Sequence, residues 1–212
     1  MDPDFWHARW SQNQIGFHEP QENPLLLAHL PALALPPQAR VFLPLCGKTK
    51  DIGWLLSQGI QVAGAELSPL AVDQLFADLG VLPAITQQGD LRCYQADGLT
   101  VFVGDIFALT PDVLGPVDAV YDRAALVALP DAMRQRYAAH LTLLTQSAPQ
   151  LLICFAYDQS RFSGPPFSVS GQEVASLYGA RYDIRALADQ PATGGLQARA
   201  AAEQVWHLTP KP

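Results

Sequence analysis

Residues Arg40 to Lys50, RVFLPLCGKTK, decide how the chain is read. Val41, Phe42, Leu43 and Leu45 make an apolar run of strand length, and Cys46-Gly47-Lys48 breaks it as a strand turning into a helix would. In a parallel α/β sheet, small molecules bind in the crevice beyond the carboxyl ends of the strands. This turn is therefore the first candidate rim of a ligand site.

Downstream the pattern repeats. Ile52, Leu55 and Leu56 recur at helical spacing as far as Gly59, and Gln61 to Leu67, QVAGAEL, is a second apolar strand bearing Glu66 at its end. Ser68-Pro69 then opens a helix by the N-cap and first-turn proline rule, with Val72, Leu75, Phe76 and Leu79 on its apolar face. Residues 81–90 show no period and read as a loop. Asp97-Gly98 signals a tight hairpin turn between strands at 92–96 and 99–103, the second of which runs to Asp105-Ile106. A further strand at 117–121 leads straight into Asp122-Arg123. Met133, Tyr137, Leu141 and Leu144 mark a helix, and 151–157 is another apolar strand. Residues 158–168, DQSRFSGPPFS, form a Pro/Gly-rich loop long enough to act as a lid. Ser170 and Glu173 are a capping-box pair, and 181–187 and 203–208 read as the closing antiparallel strands.

Upstream, Asp2 to Ser11 carries Phe5, Trp6 and Trp10 on a short amphipathic helix, and Asn23 caps a second helix that begins at Pro24. No repeat or composition break divides the chain. The order of elements predicts one α/β domain over 1–212, with a helical cover at 1–38 and a core at 39–212 built on a mostly parallel sheet with helices on both faces.

Composition narrows the function classes. With 212 residues, 49% of them hydrophobic, the chain has enough apolar surface for one well-buried core. No apolar run approaches the length of a membrane span, and MDPDFWHARW lacks the features of an export signal, so a cytoplasmic protein with no membrane partner is expected. Three scattered cysteines and five scattered histidines offer neither a disulfide framework nor a metal site. A net charge of −7 without a basic cluster argues against nucleic acid.

Four strand ends then bring polar groups to one rim: Cys46-Gly47-Lys48, Glu66, Asp105 and Asp122-Arg123. Glu66 follows Gly47 at close to the interval, roughly twenty residues, at which a carboxylate after the second strand binds a ribose diol. A nucleoside-containing cofactor is the first hypothesis. A nicotinamide dinucleotide would bring a glycine-rich turn for its pyrophosphate, whereas LCGKTKD has one glycine, which tilts the choice toward S-adenosyl-L-methionine.

FWHARW, QIGFH, VFLPLCGK, GAELS, VYDRAAL, MRQRYAAHL and GPPFSV resemble, in order and along the whole chain, segments of the thiopurine S-methyltransferase family, its bacterial members especially. The resemblance implies a class I, Rossmann-like S-adenosyl-L-methionine-dependent methyltransferase with a seven-stranded sheet. It implies transfer of a methyl group to the sulfur of thiopurines and related aromatic thiols by a monomer without metal. Carried over to this sequence, the cofactor contacts fall on Trp10, Leu45, Glu66, Ile106 beside Asp105, and Arg123, with the backbone of Cys46 and Gly47 at the methionine end. Phe17 borders the acceptor pocket, and Arg123 is the catalytic candidate because a fixed guanidinium can favour a thiolate or orient a purine nitrogen. Selenols or selenium and tellurium oxyanions are alternative acceptors, since they ask for the same geometry. A nicotinamide-dependent reductase and a non-catalytic cofactor-binding protein are the readings from other classes.

Overall fold

A computed structural model describes residues 3–212, with the side chains at 194, 198 and 199 outside the description. Its elements run α1 (Pro3–Ser11), α2 (Pro24–His29), β1 (Arg40–Pro44), α3 (Lys50–Ser57), β2 (Gln61–Glu66), α4 (Pro69–Leu79), β3 (Ala84–Gln88), β4 (Leu91–Ala96) and β5 (Leu99–Val103). They continue as α5 (Pro111–Leu114), β6 (Ala119–Arg123), α6 (Asp131–Leu144), β7 (Gln150–Ala156), α7 (Gly171–Tyr178), β8 (Tyr182–Pro191) and β9 (Ala202–Pro210). The helix expected over Asp2 to Ser11 is α1, Asp2 itself lying outside the described residues.

One sheet carries every strand, in the order β3-β4-β5-β2-β1-β6-β7-β9-β8. Its centre, β5-β2-β1-β6-β7, is parallel throughout, and both flanks are antiparallel. The sheet has nine strands, not the expected seven. One departure is β3, within the stretch read as a loop. Every residue of β3 is exposed, so the buried face that would imprint a period on its sequence is missing. At the other edge β9 lies between β7 and β8, which makes the closing pair a three-stranded antiparallel extension.

Alternation along β1 assigns the faces. Val41 and Leu43 join the cluster built by Leu25 and Leu26 of α2, Ile52 and Leu55 of α3, and Val72, Leu75 and Phe76 of α4. Phe42 joins the opposite cluster, with Leu114 of α5, Tyr137 and Leu141 of α6, and Val174 and Tyr178 of α7. Each fully buried Leu or Ile here stabilises the fold by roughly 2 kcal/mol relative to exposure. Helices therefore cover both faces.

Caps fix where those helices start. Asn23 Oδ1 accepts from Leu25 N at 2.9 Å, Ser68 Oγ from Ala71 N at 3.4 Å, and Ser170 Oγ from Glu173 N at 3.2 Å. Asn23 also donates its own N–H to Asp51 Oδ1 at 2.7 Å, and Asp51 Oδ2 accepts from Tyr121 Oη at 3.0 Å. A buried carboxylate thus ties the cover helix α2 to α3 and β6. No helix among the described residues is long and apolar enough to cross a membrane.

Candidate active site

The carboxyl ends of β1, β2, β5 and β6 open on a cavity of about 960 Å³, roofed by α1 and the loop after it. Trp10, Phe17, Leu45, Cys46, Gly47, Glu66, Asp105, Ile106 and Arg123 all line it. These residues are therefore gathered in one place by strand order, whereas Asp122, expected on the same rim, is not among them because strand alternation turns it into the core.

β1 and β2 are parallel neighbours with Pro44 opposite Ala65, so the residues that follow each strand run side by side. Cys46 N donates to Ala65 O at 3.0 Å, and Gly47 N donates to Glu66 Oε2 at 2.8 Å. Ser68 N donates to Glu66 Oε1 at 2.8 Å. Burial pushes the Glu66 carboxyl above its ordinary range, and these main-chain donors oppose that shift. Each of its oxygens keeps acceptor capacity for a ligand.

The turn after β1 is tightly specified. Leu45 has φ 48° and Gly47 φ 54°, both left-handed, and a Cβ at position 47 would stand 3.1 Å from Trp10 Cζ2. Trp10 is 4% exposed. Its ring meets Phe17 edge-on at 5.6 Å, and Phe17 meets Trp6 at 5.6 Å, so three aromatics from the N-terminal cover wall the cavity. The Cys46 thiol is buried, and burial raises its pKa well above the ordinary value. That is a packed side chain, not a nucleophile.

Beyond β5, Asp105 accepts from Phe107 N at 3.0 Å and caps a short turn, presenting the buried Ile106 beside it. Ile106 O is bonded to His140 Nε2 at 2.8 Å, and the Arg136 guanidinium lies 3.8 Å above the Phe107 ring. Phe107 and Arg136 also line the cavity. Sequence reasoning missed both, although Arg136 and His140 stand four apart on α6 and so share a face.

Arg123 ends β6, and Ala124 after it is left-handed with φ 63°. Its Nη1 donates to Phe17 O at 3.4 Å and its Nη2 to Glu19 Oε1 at 3.2 Å. Its neighbour Asp122 faces the other side of the sheet, accepting from Leu126 N at 3.1 Å and Tyr137 Oη at 2.7 Å. Arg123 therefore does not pair with Asp122; the carboxylate it pairs with is Glu19. Burial pushes the Asp122 carboxyl up to about 6 against these hydrogen bonds. Asp51, Tyr121 and Glu19, which also line the cavity, were not legible beforehand.

Residues 158–168 are tied down along one wall. Phe167 N donates to Val127 O at 2.6 Å, Tyr157 N to Ser168 Oγ at 2.9 Å, and Ser168 N to Gln159 Oε1 at 2.7 Å. Pro165 and Pro166 from this segment line the cavity. No group of three or more potential metal ligands occurs among the described residues, and Cys46, Cys93 and Cys154 are free thiols.

The cavity fits S-adenosyl-L-methionine. A buried carboxylate with spare acceptor capacity sits at the end of the second strand, and beside it the turn carries no side chain at Gly47, where a Cβ would crowd Trp10. The turn's single glycine matches a ligand without pyrophosphate.

Comparison with known proteins gives three results. The family model described as thiopurine S-methyltransferase matches residues 1–210. A curated thiopurine S-methyltransferase of Xanthobacter autotrophicus is 60% identical over 210 residues, spanning 98% of this chain and 99% of its own length. One from Gluconobacter oxydans is 49% identical over 209 residues, 98% of this chain and 95% of that protein. Among solved structures, magnesium protoporphyrin IX methyltransferase from Synechocystis, with bound S-adenosylhomocysteine, superposes with a TM-score of 0.67 at 15% identity, covering 99% of this chain and 100% of that one. The Burkholderia thailandensis 1,6-didemethyltoxoflavin-N1-methyltransferase gives 0.66 at 15% identity, over 98% of this chain and 87% of that one. These likenesses carry the fold, and none of the findings favours the nicotinamide alternative.

Proposed function

The chain belongs to the thiopurine S-methyltransferase family, and on that premise we infer that it methylates the sulfur of thiopurines and related aromatic thiols at the expense of S-adenosyl-L-methionine. The observation that carries the site assignment is the Glu66 carboxylate, buried at the end of β2 between the Gly47 and Ser68 amides. S-adenosyl-L-methionine supplies a methyl carbon made electrophilic by its sulfonium. What remains for the protein is alignment, exclusion of water and control of charge.

The lining of the cavity supports one role for each residue. Glu66 accepts hydrogen bonds from the ribose diol, and Asp105 with Ile106 holds the adenine edge. The backbone of Leu45, Cys46 and Gly47 takes the methionine end, and Trp10 closes that side against water. Arg123 faces the acceptor, where its fixed positive charge favours the thiolate over the thiol and holds the anion during in-line attack. Phe17 walls the same pocket. No general base is required, because an aromatic thiol ionises near neutrality once a cation is close.

We also propose that the chain acts as one domain, since one continuous sheet carries every strand among the described residues, and, as the family resemblance implies, that it works as a monomer in the cytoplasm. Light scattering tests the mass. Transfer of labelled methyl from S-adenosyl-L-methionine to 6-mercaptopurine and a panel of thiophenols, with product analysis, tests the chemistry. S-methyl products are expected. Absence of transfer to every thiol, with cofactor binding retained, would overturn the assignment in favour of a non-catalytic binding protein.

A further inference from the structure

The cations lining the cavity are not equivalent. Lys48 is turned to Asp78 at 3.8 Å, Arg136 covers Phe107, and Arg9 donates to Gln14 at 2.9 Å while lying 5.0 Å from the Phe5 ring centre. Arg123 is different. Its Nε is buried without a hydrogen-bond partner among the described residues, while its outer nitrogens are held by the Phe17 carbonyl and the Glu19 carboxylate. A second carboxylate, Glu203, is half-buried on β9 opposite Phe155, which lines the same cavity. The Arg123 guanidinium is thus balanced by the Glu19 carboxylate at 3.2 Å.

That balance bears on what can approach Arg123. A thiolate on an otherwise neutral ring brings one charge, spread over the aromatic system. An acceptor that also carries a carboxylate brings a second, localised charge into the cavity that Glu19, 54% exposed at its side chain, also lines. Like charges within one cavity disfavour binding unless Glu19 is displaced from Arg123. We propose that Glu19 is a specificity-determining residue that sets the charge of the acceptor, admitting aromatic thiols with neutral rings and discriminating against those bearing a carboxylate. The inference rests on the reading of Arg123 as the acceptor-side cation.

The test compares kcat/KM for 4-mercaptobenzoate and for thiophenol in the wild type, Glu19→Gln and Glu19→Asp, at low and high salt. The quantity read is the ratio of the two acceptors within each protein, so that intrinsic reactivity and general damage cancel. In Glu19→Gln the ratio rises in favour of 4-mercaptobenzoate on the order of five-fold, mainly through KM, and the gain shrinks at high salt as screening replaces the lost selectivity. Glu19→Asp keeps the charge and stays near the wild-type ratio. Equal ratios in all three proteins, or the same shift in Gln and Asp, would overturn the inference. Failure of the underlying reading looks different: Arg123→Lys would then leave both acceptors unaffected.

Discussion

The Gly47 amide and the Glu66 carboxylate, nineteen residues apart, meet at 2.8 Å across the ends of β1 and β2. This contact locks the turn after β1 to the end of β2 and leaves the carboxylate's outer lone pairs facing the cavity. Replacing Glu66 by Ala removes the proposed ribose acceptor together with a partner for the Gly47 and Ser68 amides. Affinity for S-adenosyl-L-methionine is expected to fall at least about ten-fold, or roughly 1.4 kcal/mol. Calorimetric titration checks this, and unchanged affinity would remove the ribose assignment.

Arg123→Lys keeps the charge and loses the planar fork that engages the Phe17 carbonyl and Glu19 together. A drop of about 10- to 100-fold in kcat/KM toward 6-mercaptopurine is expected, with cofactor affinity less affected. Steady-state kinetics with both substrates varied distinguishes the two effects. Full retention of kcat and KM would exclude an acceptor role.

Packing behind the turn supplies a stability prediction. A Cβ on Gly64 would approach Cys46 Sγ to 2.9 Å and the Val101 methyls at 3.5 and 3.6 Å. Gly64→Ala should therefore destabilise the fold by about 1–3 kcal/mol through overpacking. Adding Cys46→Ala removes the sulfur, so the double mutant recovers part of that loss. Chemical denaturation across the four proteins measures the coupling, and strict additivity would refute it.

Asp122 gives the protein a pH signature. Its folded pKa is raised from 3.8 to about 6 by burial, so the folded state holds a proton that the unfolded state has released across that interval. Its contribution is therefore complete below the unfolded value and is lost as pH rises through the folded one, a change on the order of 3 kcal/mol. The isosteric Asp122→Asn stays neutral and lacks this slope. Urea unfolding at several pH values between about 4 and 7 should show the wild type losing stability relative to Asp122→Asn as pH rises. Parallel curves would mean that Asp122 ionises as freely in the fold as in the open chain.

What could be read from the sequence follows the range of the interactions. Asn23, Ser68 and Ser170 announce helix starts because a cap acts within three residues. Glu66 was legible because its distance from Gly47 is one strand-helix-strand unit, a length fixed by the fold class. β3 was illegible because its exposed residues feel no buried face. The pairing of Arg123 with Glu19 spans 104 residues, and that of Tyr121 with Asp51 spans 70. No local pattern encodes either; they exist only once β6 stands beside β1 under the N-terminal cover.

The placement of β9 between β7 and β8 has a bearing on assembly. Among the described residues β8 has no hydrogen-bonded neighbour strand except β9, and β7 has β9 along its whole outer side. Until residues 202–210 are available, β7 is an open edge and β8 has nowhere to dock. β8 can therefore dock only once β9 has paired with β7, and Glu203 opposite Phe155 at the cavity wall takes its place in that same step. Pulse-labelled hydrogen exchange during refolding is expected to register this dependence as protection of β8 no earlier than that of β9.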